Sequence, residues 1–307
     1  MILITSYKDF LYGVAATLTA VAVYQIRAFL YVEPCSEIQR KAKLPIPLLP
    51  KDSDESVDSI IVWGFQKRGE YPAFERGVCD GSPYVARVEC YLRLLGMHNY
   101  TKRVSVDLSE NPRQKLPFCN LHGRMVDDSA KILEAIQALL KIDEGLTPDQ
   151  LRDGHFLRRL LTGSLYWVRY SMNFGTEEGR QAVVEEMKKG LPAPLVPFIS
   201  AMVIKSQQAN LFGQGTGRMP FDEIIAMGEA DLRAIHSLLG DRTYILGTDK
   251  ATVFDTDLYA FMGHLFYDTT PSSMEWVQEI KRELPQLEQY TDRMRSLLFP
   301  ELKSKTS

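Results

Sequence analysis

The sequence predicts an α/β domain over residues 59–143, followed by an all-helical domain over residues 148–300. Short β-branched and aromatic runs typical of strands end before residue 130, and a helix signal separates the first two of them. Beyond Gly145 the apolar residues recur only at helical spacing, between breaks at Pro and Gly. At 307 residues the chain is long enough for two such domains, each with its own core.

The composition narrows the range of functions. The net charge is −3 and no run of Lys and Arg interleaved with aromatics occurs, so nucleic acid is not predicted as a partner. The five histidines lie far apart and never at the spacing of metal ligands, so no metal site is predicted. The cysteines are too few and irregular for a disulfide framework, which favours a reducing compartment; they are Cys35, Cys79, Cys90 and Cys119.

An apolar segment precedes both domains. Between Asp9 and Arg27 lie 17 uncharged residues, and a membrane-spanning helix needs about 20. The length predicts a single transmembrane anchor over residues 10–32, after a short tail of residues 1–9. Two alternatives stay open: a cleaved signal peptide, with a small-x-small pattern at Ala20–Ala22, and an apolar helix packed on the protein itself.

The distribution of charge sets the orientation of such an anchor. Basic residues follow the segment closely, and positive charge marks the cytoplasmic side, so both domains are expected to face the cytoplasm. Residues 33–58 contain four prolines and an acidic run, a composition typical of a solvated linker. Residues 301–307 are expected to form a short tail.

The first domain begins with a predicted buried strand over residues 59–65 and a loop over residues 66–81. A helix then starts at Ser82, which is the expected N-cap, with Pro83 in the first helical position. Gly96 is expected to end this helix, because glycine readily adopts the left-handed conformation that follows a helix C-terminus.

Further strand signals follow this helix, and they cover residues 102–107, 118–121 and 124–126. Asp128 and Ser129 then cap a predicted helix that runs to about Leu140. The order β-α-β-β-β-α, with a parallel start and an antiparallel end, is close to the thioredoxin-like arrangement. The segment 108–115 is too short and polar to supply the second helix of that arrangement.

The second domain is predicted to be a helical bundle. Its helices have apolar residues at three- and four-residue spacing, and they cover residues 148–173, 177–190, 194–211, 220–239, 254–267 and 274–298. An aromatic stripe on the first of them could line a ligand pocket, although such stripes are more often interdomain core; it comprises Tyr166, Trp167, Tyr170 and Phe174.

Three local patterns narrow the range of protein families that this domain order indicates. They are Ser82-Pro83-Tyr84 at the first helix, Leu116-Pro117 with its proline twelve residues before Ser129, and the box Thr252-x-x-Asp255 at the start of a buried helix. Together with the order of a thioredoxin-like and then an all-helical domain, these patterns resemble the glutathione transferase superfamily.

Within that superfamily the chain most resembles the failed axon connections and metaxin branch. The pattern from Ser82 to Gly96 is similar to the helix-1 signature of that branch. The segments Leu165–Tyr170, Tyr244–Asp255 and Pro285–Pro300 are similar to its helical half, so the resemblance covers nearly all of residues 59–300.

This resemblance implies a glutathione site. Ser82 would point at the glutathione sulfur and help to ionise the thiol, or it would serve only as a helix cap. The backbone of Leu116, before an expected cis Pro117, would pair with the cysteinyl part, or it would form only a structural turn. Asp128 and Ser129 would receive the γ-glutamyl carboxylate, or they would act only as an N-cap cluster.

The sequence also supports predictions about individual side chains outside this site. Cys79, three residues before Ser82, would become reactive only if its loop folded over the helix; a loop cysteine is otherwise usually inert. Glu89 and Arg93 are four residues apart on the predicted helix and are expected to form a surface ion pair. The box from Thr252 to Asp255 is expected to be structural, with each residue satisfying a backbone donor near the other.

Two functions of different class follow from the resemblance. The first is a membrane-anchored glutathione transferase, with glutathione as co-substrate and a small electrophile as second substrate. The second is a non-catalytic binding module of the failed axon connections or metaxin type, which acts through protein partners at a membrane. The candidate partners are therefore glutathione with an electrophile, a protein, a membrane reached through the N-terminal helix, and a second copy of the chain in a homodimer.

Overall fold

A computed structural model describes residues 60–104 and 115–305 of the chain. The predicted N-terminal tail, transmembrane anchor and linker, which together cover residues 1–58, lie outside the described residues. The polar segment 108–114 and the end of the predicted second strand also lie outside them. Among the described residues, none of the helices combines the length and the apolar character that crossing a membrane requires.

The first half of the described chain is a four-stranded mixed sheet with two helices. Its elements are β1 (Ile60–Gly64), α1 (Pro83–Leu94), β2 (Thr101–Val104), β3 (Phe118–Leu121), β4 (Arg124–Asp127) and α2 (Ser129–Leu140). The strand order is β2-β1-β3-β4, with β1 parallel to β2 and antiparallel to β3, and β3 antiparallel to β4. This arrangement confirms the predicted thioredoxin-like order of a parallel start and an antiparallel end.

Local sequence signals explain how these elements form. All five residues of β1 are buried, as expected for a strand that is flanked by partners on both edges. Ser82 is the N-cap of α1 and Pro83 follows in the first helical turn. Gly96 adopts a φ of +70° just after the helix, in the left-handed region that glycine occupies without steric cost. The peptide bond between Leu116 and Pro117 is cis, as predicted.

The second half of the described chain is all helical. Its α-helices are α3 (Pro148–Leu160), α4 (Tyr166–Phe174), α5 (Glu177–Gly190), α6 (Val196–Gln214), α7 (Phe221–Leu239), α8 (Val253–Tyr267), α9 (Pro271–Glu283) and α10 (Pro285–Leu298). Two predicted helices are each divided. A π-helical segment at Leu161–Leu165 separates α3 from α4. Pro285, which lacks an N–H and disfavours helical backbone at Leu284, separates α9 from α10.

Helix α8 is the centre of the helical half and packs along α1 of the first half, with α3 and α10 on its other sides. Nearly all of its residues are buried, and most of them are apolar. It begins at the predicted capping box, in which the Asp255 carboxylate accepts from the Thr252 N–H at 2.8 Å. The structure therefore confirms the structural role expected for this box.

Candidate functional site

Ser82 lies where α1 begins, with 9% of its surface exposed. Its Oγ accepts a hydrogen bond from the Val85 N–H at 3.4 Å, and its own N–H donates to Asp80 Oδ1 at 3.0 Å. The hydroxyl thus sits at the positive end of the α1 dipole, as the sequence predicts. The hydrogen bond from Val85 to Ser82 is long, so the contribution of this cap to helix stability is expected to be at the low end of the usual range.

A buried group of charges fixes the turn that leads into Ser82. Lys102 Nζ lies 2.8 Å from Asp80 Oδ2 and 2.5 Å from Glu89 Oε1, and all three side chains are at most 2% exposed. Tyr100 donates its hydroxyl to Glu89 Oε2 at 2.6 Å. Asp80 Oδ2 also accepts the Phe65 N–H at 3.1 Å, which ties the end of β1 to the turn before α1. Three formal charges therefore hold the backbone around Ser82.

The prediction of a surface ion pair between Glu89 and Arg93 is wrong. Glu89 faces Lys102, whereas Arg93 donates to Glu301 Oε1 at 2.7 Å and its guanidinium lies 4.2 Å from the Phe299 ring centroid. Both residues are buried because α1 is covered on nearly every side, so the helical i,i+4 spacing does not bring them together at the surface.

Asp128 and Ser129 lie at the other helix N-terminus that the sequence singles out. Asp128 is the N-cap of α2, with a φ of +69° that non-glycine residues rarely adopt. Its Oδ1 accepts from the N–H groups of Ala130 at 3.0 Å and Lys131 at 3.4 Å, so the carboxylate turns back onto its own helix. Ser129, the first helical residue, is buried. The capping role is therefore observed for Asp128.

Arg87 connects Ser129 to the helical half, and it was not predicted. Its Nη1 donates to Ser129 Oγ at 3.1 Å, while its Nε donates to Asp257 Oδ1 at 2.7 Å. The second oxygen of Asp257 accepts from Arg158 Nε at 2.7 Å. Arg87 and Asp257 are 2% and 1% exposed. The sequence shows Arg87 among apolar residues of the first helix, and a charged residue that is buried requires a partner of opposite charge, but the sequence does not show which residue is the partner.

Tyr84 brings the two helix N-termini to the same region. Its ring packs edge-on against Tyr166 at 5.0 Å and against Phe261 at 5.5 Å. Burial raises the pKa of Tyr84 to about 12; the charge of Arg87 lowers it and that of Asp128 raises it. The hydrogen bond from Arg87 to Ser129 brings α1 beside the N-terminus of α2, and the rings of Tyr84 and Tyr166 form an aromatic wall next to Ser82.

The predicted aromatic stripe forms this wall and extends from it. Tyr166 contacts Tyr84, and its ring lies 5.3 Å from that of Tyr170, which in turn lies 4.7 Å from Phe174. All of these rings are half-buried. Tyr166 thus belongs to the contact between the two halves, whereas the other aromatics follow α4 away from it.

The loop of residues 66–81 packs against the helical half beside Ser82. The Tyr71 hydroxyl donates to Asp268 Oδ2 at 2.7 Å, and Tyr259 donates to the Gly77 carbonyl at 2.8 Å. His264 Nε2 lies 2.7 Å from the Asp80 carbonyl. A Cβ on Gly81 would lie 3.4 Å from the Tyr71 ring, so this tyrosine sits directly beside the turn that leads into Ser82.

Cys79 is not positioned as a reactive thiol. It is 1% exposed, although its loop does fold against the protein as the prediction required. A hydrogen bond with Cys90 and burial raise the pKa of the Cys79 thiol well above its ordinary value. Since the thiolate is the reactive form, the structure favours the inert alternative for Cys79.

Alkylation of the native protein should therefore leave Cys79 unmodified. We expect iodoacetamide to label Cys79 roughly 100-fold more slowly in the native protein than in urea, because the thiolate forms only after the loop opens. Peptide mass spectrometry measures the rate, with the buried Cys90 and Cys119 as internal references. Equal labelling rates for Cys79 in the native and the urea-treated protein would show that its loop is open.

Comparisons with known proteins agree with this architecture. Residues 83–178 match the family described as "Glutathione S-transferase N-terminal domain", and residues 228–294 match "Glutathione S-transferase, C-terminal domain". Isoprene-epoxide–glutathione S-transferase of Rhodococcus sp. (strain AD45) is 28% identical over 242 residues, covering 70% of this chain and 97% of that protein. Failed axon connections of Drosophila melanogaster is 25% identical over 234 residues, covering 72% of this chain and only 55% of that protein.

Solved structures show the same fold. The β-etherase LigF of Sphingobium sp. strain SYK-6 superposes with a TM-score of 0.54 at 15% identity, covering 81% of this chain and 100% of that one. A glutathione transferase family member from Pseudomonas fluorescens, with two glutathione bound, gives a TM-score of 0.51 at 12% identity, covering 87% and 97%. With both matched domains and the Drosophila homologue, the chain belongs to the glutathione S-transferase superfamily, as a failed axon connections and metaxin-like member.

Proposed function

We propose that the described residues bind glutathione between the N-termini of α1 and α2 and that Ser82 favours ionisation of its thiol. The observation that carries the proposal is the hydrogen bond from Arg87 to Ser129. A hydroxyl has one donor and two acceptor positions. Because Arg87 fills an acceptor position, the Ser129 proton is free to donate, and the nearby guanidinium strengthens that donor.

The γ-glutamyl carboxylate is the part of glutathione that fits this donor. A carboxylate at the N-terminus of α2 is stabilised by the helix dipole and by the Ser129 hydroxyl. Asp128 already accepts from two amides of that turn, so the ligand carboxylate would rely on Ser129 more than on the remaining helix donors. The backbone of Leu116, two residues before β3, would pair with the cysteinyl part as an added strand does.

The thiol of the bound peptide would then lie near Ser82. A free thiol has a pKa of about 8.5, and helix N-termini with a donor lower it to about 7. The hydroxyl of Ser82 at the start of α1 offers such a donor. The thiol proton passes to water, and the resulting thiolate forms a carbon–sulfur bond with a small electrophile beside the aromatic wall of Tyr84 and Tyr166. The bond to the leaving group, or the C–O bond of an epoxide, breaks in the same step, and the oxygen or leaving group takes up the negative charge. The Rhodococcus relative is named as an isoprene-epoxide–glutathione S-transferase, which is chemistry of this kind.

A second function is favoured by the loop of residues 66–81. Tyr71 lies beside the turn that leads into Ser82 and is tied to Asp268 at the end of α8. A loop packed beside Ser82 in this way suits a binding module that recognises a protein at a membrane, the second function implied by the resemblance to failed axon connections.

Calorimetry with glutathione separates the two functions. We expect the wild-type chain to bind at millimolar glutathione, and Ser129→Ala to weaken binding roughly 10-fold, since a hydrogen bond to a charged group contributes about 1.5 kcal/mol. Thr147→Ala is the matched control, because it removes the N-cap of α3 without touching the site. No heat from the wild-type chain at millimolar glutathione would overturn the first function and leave the binding module.

A further inference from the structure

Helices α5 and α6 lie almost entirely between the two matched family domains. The first match ends at residue 178 and the second begins at residue 228; the interval holds nearly all of α5, the whole of α6 and the start of α7. From residue 187 to residue 221 the chain has no acidic side chain, although Asp and Glu together number 39 in the whole sequence. The charged residues of this stretch are all basic: Lys188, Lys189, Lys205 and Arg218.

The same stretch exposes large apolar side chains. Leu195, Phe198 and Phe212 are 48%, 57% and 58% exposed, values more typical of surface lysines than of Phe and Leu. Successive helix residues are rotated by about 100°, so residues 198 and 212 lie within about 40° of each other around α6. One exposed face of α6 therefore carries a row of five residues, which we call the α6 face: Phe198, Ala201, Lys205, Ala209 and Phe212.

We propose that the α6 face rests in the interfacial layer of an anionic lipid bilayer. Exposed Phe and Leu beside Lys and Arg, in a stretch without acidic residues, suit the boundary between lipid headgroups and acyl chains. The helix is about 21 Å long between residues 198 and 212, so both rings could enter one flat surface. Each Lys or Arg near an anionic surface contributes about 1 kcal/mol, and Lys205 and Arg218 supply such charges, whereas Lys188 and Lys189 are paired with glutamates.

The charges around the face are compatible with this orientation. Lys188 and Lys189 each lie 2.5 Å from a glutamate of α5, Glu185 and Glu186, in exposed pairs that lipid phosphates can compete for. Arg218 stacks 4.5 Å from the Phe212 ring centroid, which keeps a cation at the depth of that ring. Lys205 can extend its charge from an apolar stem towards the headgroups.

The position of Lys205 argues against a second copy of the chain as the occupant. It lies midway between Phe198 and Phe212 on the exposed face. A twofold contact centred on this face would bring the two Lys205 side chains together. Like charges facing each other at an interface are unfavourable, whereas a bilayer accepts the same lysine at its headgroups. The face therefore suits lipid better than a copy of itself.

Tryptophan fluorescence of the full chain on vesicles tests this proposal. Phe198→Trp places a reporter on the α6 face, and Phe156→Trp, at a 63% exposed position of α3, is the matched control. The wild-type signal of the three native tryptophans is subtracted. Vesicles contain brominated phosphatidylcholine with or without phosphatidylserine. The two variants differ only in the position of the reporter. Their comparison therefore does not depend on whether another part of the chain also binds the vesicle.

We expect bromolipid to quench the residue-198 reporter at least several-fold more than the residue-156 reporter. Phosphatidylserine should be required, and Lys188→Gln/Lys189→Gln/Lys205→Gln should weaken the quenching. Equal quenching of the two reporters would overturn the proposal. A change in the fluorescence of the residue-198 reporter that occurs without vesicles and grows with protein concentration would also overturn it, because a second copy of the chain would then cover the face. Neither result bears on the proposal that the chain binds glutathione, which calorimetry tests separately.

Discussion

Replacing Asp255 with alanine is expected to destabilise the helical half by about 4 kcal/mol, well above the cost of losing an ordinary helix cap. The Asp255 side chain is completely buried and does more than close the capping box. Besides Thr252, it accepts the Ile245 N–H and the Tyr290 hydroxyl, each at 2.8 Å. Alanine would leave these buried donors without a partner, and each such donor costs about 1–3 kcal/mol.

Denaturant unfolding followed by circular dichroism measures this effect. Asp249→Ala, at an exposed position of the preceding loop, should change stability by no more than about 0.5 kcal/mol. If Asp255→Ala does not fold, Tyr290→Phe removes a single bond to the same carboxylate and should cost about 1 kcal/mol. A loss no larger than that of the Asp249 control in both Asp255→Ala and Tyr290→Phe would show that Asp255 does not organise the core.

Lys102→Met is expected to cost about 3–5 kcal/mol, because breaking a buried ion pair leaves an uncompensated charge. Two carboxylates depend on this lysine, Asp80 and Glu89. Burial raises the pKa of Glu89, while Lys102 and Tyr100 act against that rise. Without Lys102 the pKa rises further. A carboxyl with a raised pKa in the folded state favours folding at low pH and loses this contribution as pH rises, so the variant should be least impaired in acid.

The same unfolding assay, repeated across pH, checks this second prediction. Lys67→Met is the control, since Lys67 belongs to an exposed pair with Glu70 at 3.7 Å and should lose less than about 1 kcal/mol. Adding Glu89→Gln to Lys102→Met should restore part of the lost stability, because one of the unpaired charges is then removed. A Lys102→Met loss that matches the control at every pH would contradict the buried network.

The sequence predicts the elements whose signals are local. The cap at Ser82, the hairpin and the box at Thr252 each depend on residues within a few positions, and the structure shows all of them. The cis Pro117, which the family resemblance implied, is also observed. The break at Pro285 was missed, because the apolar spacing continues through it although proline interrupts the helix.

Contacts between distant segments could not be predicted in the same way. Arg87 and Asp257 are 170 residues apart, so neither sequence spacing nor helix periodicity pairs them. The expected Glu89–Arg93 pair failed for a related reason, since periodicity shows which residues share a helix face but not whether that face is covered. Of the candidate site, the sequence predicted the two helix N-termini, whereas the arginine that orients Ser129 became visible only in the structure.

A crystal structure of the chain with glutathione tests the central claim, that Ser82, Leu116 and Ser129 line one mouth that holds the tripeptide. The γ-glutamyl carboxylate should lie within hydrogen-bonding distance of Ser129 Oγ, with the cysteinyl backbone paired to Leu116 and the sulfur next to Ser82. Glutathione bound on a different surface, or no glutathione in crystals grown at a saturating concentration, would contradict the account.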